Sequence, residues 1–315
     1  MKNKFIIIIA AAIPLGIVPL AAQTPLPLPT PPEWKVTLRA VDESGKPVSD
    51  AQAEVESIKP STSGEAVRSD GKTDTDGLFT ATGHSWVRLY LHMAKSGFYS
   101  ATKLYDLNMN AKVRYEPWDP TFDLLLKKIG KPIPMYAKSV NLRMPVFEQP
   151  VGFDLTTGDW VGPYGKGINA DILFTGHFDK YTNGESDYML TVSFPKTGDG
   201  IQEFTVPDAE KGSSLRSPHK APTDGYQSHW VQFDNRKPKT PIKTNRNLNR
   251  NYFFRVRTVM DERGNIVSAH YGKIYGDFMQ FSYYLNPTPN DRNVEFDPKQ
   301  NLLKNLKSDE GVSAP

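Results

Sequence analysis

Short runs in which apolar and polar residues alternate, closed off by Asp, Gly and Pro turns, constrain this chain more than any other feature. They permit sheets and leave no stretch with the 3.6-residue period of an amphipathic helix. Val36, Leu38 and Ala40 share one face of an extended strand, with Lys35, Thr37 and Arg39 opposite; Val87, Leu89, Leu91 and Met93 repeat the pattern against Arg88, Tyr90 and His92. Between them lie Asp42-Glu43-Ser44-Gly45-Lys46-Pro47 and Asp74-Thr75-Asp76-Gly77, which carry the chemistry of tight turns. Phe122 to Ile129 supplies another strand. Half-buried strands joined by turns need a second sheet to cover their apolar face, which predicts a β-sandwich.

The same punctuation continues towards the C-terminus. Ile168 to Phe174, Tyr188 to Phe194, His229 to Phe233, Tyr252 to Met260 and Ile266 to Ile274 read as strands. The last two flank Asp261-Glu262-Arg263-Gly264-Asn265 and should form a hairpin. Asn286 to Asp291 reads as a loop, and residues 307–315 as a frayed tail. Lys131 to Pro150 holds Pro132, Pro134, Pro145 and Pro150 and reads as the connection between domains, with Ile133, Met135 and Tyr136 packing in part. The expectation is an all-β protein: an immunoglobulin-like sandwich over 34–145, then a larger antiparallel sandwich or jelly-roll-like domain over 146–306.

The first 22 residues have the three parts of a secretory signal peptide. Lys2 and Lys4 precede the apolar run Phe5 to Ile13, and small residues end at Ala21 and Ala22. Pro14, Gly16 and Pro19 punctuate the segment where a spanning helix would stay regular, so cleavage is expected over retention as an anchor. Export follows, to the periplasm, the extracellular space or the cell surface, with no transmembrane segment left after cleavage. Residues 23–33 include Thr24 to Pro32, with five prolines in nine residues, an extended spacer. The chain has no cysteine, which excludes disulfides, thiolate metal sites and cysteine nucleophiles. Its 38 basic and 35 acidic residues balance too closely for a nucleic-acid binder.

The run Val41-Asp42-x-x-Gly45-x-Pro47-Val48-x-x-Ala51, then Thr73-Asp74-x-Asp76-Gly77-x-Phe79 and Lys95-x-Gly97-Phe98, resembles the carboxypeptidase regulatory-like domain over about residues 34–130. The resemblance implies a seven-strand, transthyretin-like sandwich used as a spacer or interaction module, with Pro60 to Lys72 departing from the pattern as an insertion. The remainder resembles segments of secreted bacterial proteins and implies no activity.

Chemistry-bearing motifs fail one by one. The six histidines show no metal-binding spacing, and His177 with Asp179 reads as a strand pair facing solvent. Asp74 and Asp76 mimic a calcium loop, but Lys72 and Gly83 stand where ligands are required. Gly162-Pro163-Tyr164-Gly165-Lys166-Gly167 lacks the first Gly and the Ser or Thr of a phosphate loop. No G-x-S-x-G exists, and S-x-x-K recurs at Ser69, Ser100, Ser193 and Ser217 without context. Arg236 to Arg257, with eight basic residues and no acidic one, reads as a solvated loop or a contact for an anionic partner. Asp154, Asp159, Asp171 and Asp179 lie around Trp160 and Tyr164, a mixture of carboxylates and aromatics compatible with sugar binding or with hydrolysis by a carboxylate pair, set against the turn and packing roles that such residues serve in loops. The sequence therefore predicts a non-catalytic binder or scaffold without metal or cofactor, whose partner is an extracellular glycan or envelope protein. The runner-up is a polysaccharide-acting hydrolase.

Overall fold

The computed structural model describes residues 31–58, 66–85, 88–108, 110–180, 184–206, 212–247 and 249–315. The expected signal peptide, most of the expected spacer, Pro60 to Glu65 and Val87 lie outside these residues. Every regular element among the described residues is a strand, so the all-β class holds.

The first half contributes β1 (Glu33–Val41), β2 (Gln52–Ile58), β3 (Ala66–Lys72), β4 (Leu78–His84), β5 (Arg88–Ala94), β6 (Ala101–Asp106) and β7 (Thr121–Leu125). They form sheets ordered β4-β1-β7 and β3-β2-β5-β6. The alternating positions meet between the sheets: Trp34, Val36 and Leu38 from β1 pack in one cluster with Leu89, Leu91 and Met93 from β5. The turns close as their residues dictate. Asp42 Oδ1 accepts the amides of Ser44 and Lys46, and Asp74 Oδ1 those of Asp76 and Leu78. Gly77 sits at φ +75°, where a Cβ would strike the Ala40 carbonyl.

The second half comprises β8 (Ile133–Asn141), β9 (Val151–Asp154), β10 (Asp159–Trp160), β11 (Ile172–Lys180), β12 (Ser186–Ser193), β13 (Gly200–Phe204), β14 (His229–Arg236), β15 (Lys243–Thr244), β16 (Asn251–Met260), β17 (Ile266–Asp277), β18 (Gln280–Leu285) and β19 (Phe296–Asn301). Two sheets result, β10-β9-β11-β12-β14-β15 and β13-β16-β17-β18-β8-β19. One core lies between them, holding Phe174, Leu190, Tyr252, Phe254 and Ile274. A second covers the far face of the latter sheet, with Met135, Phe253, Tyr271, Tyr284 and Phe296. That sheet is therefore buried on both sides, which is why Tyr252-Phe253-Phe254 is an unbroken apolar run. The β16–β17 hairpin forms as expected: Met260 pairs with Ile266, Asp261 Oδ1 accepts the Arg263 and Asn265 amides, and Gly264 adopts φ +80°.

Two expectations are corrected. The Lys131 to Pro150 connection contains β8, which pairs with β18 from Tyr136↔Leu285 to Asn141↔Gln280. The change of sheet thus falls before Ile133, not near residue 145. Pro132 and Pro134 do not prevent this, because β8 meets β19 only at Ile133 and Met135, in irregular register, and pairs with β18 only from Tyr136 onward. The segment 307–315 is not frayed. Glu310 accepts the Ser139 amide through its carbonyl and pairs with Lys138 at 3.0 Å, Tyr284 donates to the Ala314 carbonyl, and Val312 joins the second core. It shields the edge of β8 that β19 leaves open.

The halves meet around Glu295, whose side chain is 4% exposed. Its carboxylate accepts the Tyr99 hydroxyl at 2.8 Å and the Gly130 and Lys131 amides at 2.9 and 3.2 Å. His219 Nδ1 lies 2.8 Å away as a charge contact, out of line for a straight hydrogen bond, and its Nε2 faces Glu43 at 3.4 Å. Burial raises the Glu295 pKa, but His219 and the donors around it outweigh that and bring it to about 2; the same carboxylate raises His219 above 6.5 against desolvation. Glu295 stabilises fully above its unfolded value near 4.5, and this is lost as pH falls towards 2. His219 stabilises fully below 6.5, and this is lost as pH rises through its raised value. The melting temperature should therefore carry a plateau between about pH 4.5 and 6.5 that Glu295→Gln flattens. A profile unchanged by that substitution would refute the assignment.

Candidate functional site

Of the residues singled out from sequence, Asp154 and Asp171 are tied into the fold. Asp154 ends β9, is 1% exposed, and binds the turn on each side. Oδ1 accepts from the Thr156 amide and hydroxyl and the Thr157 amide, Oδ2 from the Ile168 and Asn169 amides. Burial would push its pKa up; these donors reverse the effect and hold it far below the usual carboxylate range. It has no proton to give at neutral pH. The predicted strand from Ile168 accordingly begins only at Ile172, because the amides before it serve this cap. Asp171, 2% exposed, receives a two-pronged contact from Arg257 at 2.7 and 2.9 Å and the Leu155 amide at 2.9 Å. Arg257 itself adopts φ +58° where the β16–β17 register slips, a bulge that turns its guanidinium to this pair. Asp199, 5% exposed, accepts the Arg257 and Thr258 amides there, and burial raises its pKa.

Asp159 and Trp160 lie elsewhere, at a cleft of about 430 Å³ between β8, β10, the start of β18 and the 307–310 segment. The Trp160 ring stands edge-on to Phe153 and Phe174 at 5.4 and 5.7 Å, half-buried and rigid. Asp159 accepts the Trp160 and Lys166 amides, shaping the loop instead of facing a ligand with both oxygens free. Opposite them stand Asn141 and Gln280, brought together as register partners across β8 and β18, both exposed and with side-chain amides that bond to no other group among the described residues. Arg143 lines the same cleft and has no carboxylate partner among the described residues. Lys138 donates to the Gly158 carbonyl at 2.9 Å and pairs with Glu310. Desolvation pushes Glu310 up, and the Lys307 amide and Lys138 more than reverse it. Tyr164 does not line this cleft; it is 42% exposed and accepts a hydrogen bond from Gln149. Sequence reasoning missed Asn141, Arg143, Gln280 and the 307–310 segment, whose convergence depends on the register of strands far apart in the chain.

The remaining motifs resolve into structural contacts. His177 sits between Glu148 at 2.7 Å and Asp179 at 3.3 Å on the exposed end of β11, and the Glu148 carboxylate raises its pKa. Four arginines of the basic run are neutralised by acids outside it: Arg236 by Asp234, Arg246 by Asp277, Arg250 by Glu203 and Arg257 by Asp171. Ser217 does meet a lysine, but it is Lys273. The ammonium and the Tyr275 hydroxyl donate to Ser217 Oγ at 3.3 and 3.1 Å. Desolvation lowers the Lys273 pKa; burial raises that of Tyr275, and the adjacent ammonium and the hydrogen bonds with Ser217 turn it to below its ordinary value. Ser217 and Lys273 are 0% exposed, so this cluster cannot reach a substrate.

No family model matches the chain, and no curated protein matches its sequence. Among solved structures, 3-chlorocatechol 1,2-dioxygenase from Rhodococcus opacus 1CP aligns at 15% identity and TM-score 0.25, over 32% of this chain and 62% of the enzyme. Hydroxyquinol 1,2-dioxygenase from Pseudomonas putida DLL-E4 aligns at 12% and 0.25, over 32% and 58%. The aligned parts fall short of two thirds of either dioxygenase, and similarity at this level carries no functional argument.

Proposed function

We propose that this is an exported, non-catalytic β-protein of the cell envelope that binds an extracellular glycan, or a glycan-bearing envelope partner, in the Trp160 cleft. The observation that carries this is the meeting of a rigid, half-buried indole with the side chains of Asn141, Gln280 and Arg143, which have no partner among the described residues, in one concavity of about 430 Å³. Sugars present an apolar C–H face that stacks on indole and hydroxyls that both donate and accept, which side-chain amides match. The volume falls within the range of small-ligand sites. The resemblance of the first half to an accessory module agrees with a role in presenting this cleft.

Asn141→Ala with Gln280→Ala removes two hydrogen-bonding groups worth about 1 kcal/mol each. Glycan affinity is expected to fall about 10- to 30-fold, with the melting temperature unchanged because both side chains are exposed. Calorimetric titration against a glycan panel is the measurement. Full affinity in the double variant, or no glycan retained by the native protein, removes the proposal.

A second reading, polysaccharide hydrolysis, draws on a cleft of about 360 Å³ lined by Asp171, Asp199 and Arg257. One carboxylate there is gripped by a guanidinium while burial raises the other, the kind of divergence that separates a base from an acid. Turnover of complex glycans abolished by Asp199→Asn would favour this reading; no turnover by the native protein would end it.

A further inference from the structure

We infer that the ligand is a linear, carboxylate-bearing glycan lying along three adjoining clefts, with Arg216 gripping its charge beyond the Trp160 end; this rests on the glycan-binding reading above. The Trp160 cleft shares Ser139 and Gln280 with a second cleft of about 360 Å³, walled by Tyr275, Tyr284 and residues 311–314. That cleft shares Arg216 with a third of about 420 Å³, lined by Asn247, Asn249 and Arg250. Each alone is near the lower limit for a ligand site. Joined by common walls, they suit a chain of several sugar units better than a single one.

The charge pattern assigns the ligand's chemistry. Most described arginines are committed to carboxylates, including Arg39, Arg68, Arg88, Arg236, Arg246 and Arg257. Arg143 and Arg216 are exposed, line the clefts and have no carboxylate or carbonyl acceptor among the described residues. The Arg216 guanidinium rests 5.2 Å from the Tyr275 ring centroid, which fixes its plane without engaging its N–H groups. Arg250 lies 4.8 Å over Trp230, with Nη1 on Glu203 and Nε lacking an acceptor. Of the described acids lining these clefts, Glu203 is met by Arg250, Glu310 by Lys138 and Asp159 by two amides, while Asp309 stands exposed at the Trp160 end. A fixed guanidinium with its fork open fits the planar carboxylate of a uronic acid through two parallel hydrogen bonds.

The test titrates the purified protein with galacturonate, mannuronate and glucuronate oligomers of two to eight units, their methyl esters, and dextran sulfate. Affinity should rise at least tenfold from dimer to hexamer in a uronate series and fall about tenfold on esterification. Arg216→Ala should abolish that preference while leaving ester binding and the melting temperature unchanged. Equal affinity for acid and ester, no dependence on length, or an inert Arg216→Ala overturns the inference. Dextran sulfate bound in place of every uronate overturns the carboxylate assignment. Neutral glycans bound through Asn141 and Gln280 would leave the proposed function standing when this inference fails, whereas no binding by any probe removes both.

Discussion

Glu295→Ala is expected to lower the unfolding free energy by about 3–5 kcal/mol, because it breaks a buried charge cluster from one side. The lost carboxylate leaves the Tyr99 hydroxyl and the Gly130 and Lys131 amides without their acceptor, and strips the imidazole of His219 of its counter-charge. Glu295→Gln keeps the shape and one carbonyl oxygen, so its cost should be smaller, about 1.5–3 kcal/mol. Denaturant melts at pH 6 measure both. A loss below about 1 kcal/mol for the alanine variant contradicts the reading of this junction as tightly coupled. Because the donors come from both halves, the native protein should also melt in one transition and the alanine variant in two.

Gly272→Ala should be comparably severe, about 3 kcal/mol or failure to fold. A Cβ at Gly272 in β17 would overlap the Phe254 ring and the Tyr284 carbonyl oxygen. The ring could move only into a filled core, and the carbonyl is fixed by the ladder in which Gly272 opposes Leu285. Gly311→Ala, whose Cβ would come no nearer than 3.9 Å to another atom, is the control and should cost within about 0.5 kcal/mol. Equal stabilities for the two variants would show that the sheet yields where packing says it cannot.

How much was legible depends on how local each signal is. β1 and β5 have one buried face each, so alternation in Trp34 to Ala40 and Leu89 to Met93 announces them directly. The Asp261 to Asn265 turn is legible for the same reason, since its hydrogen bonds close within five residues. β8 was hidden because Pro132 and Pro134 are valid loop signals that fail only where the neighbouring ladder is irregular, a fact about β19 and not about the prolines. The 307–315 segment looks polar and short; its order comes from Ser139, Lys138 and Tyr284, none of them near in sequence. At the candidate site, residue type points alike to Asp159 and Trp160, which line the cleft beside β8, and to Asp154 and Asp171, whose carboxylates are tied to backbone amides and Arg257. Residue type alone cannot separate a carboxylate that caps a turn from one that meets a ligand. Asn141 faces Gln280, and Arg216 reaches its place, through pairings of long sequence separation that no spacing rule contains.

The placement of β8 between β18 and β19 also sets the order of assembly. A chain that has emerged only as far as residue 270 carries Met135 and Ala137 on a strand whose neighbours do not yet exist. Those residues belong to a core that needs Tyr284 and Phe296 to close. Closing so distant a pairing is entropically slow, and until it happens the nascent protein exposes a sticky ribbon that invites annealing with another copy. Production of this protein should therefore be limited less by final stability than by how well its middle third is chaperoned during synthesis, and nonsense or frameshift products ending before residue 280 should accumulate as aggregates instead of shorter folded species.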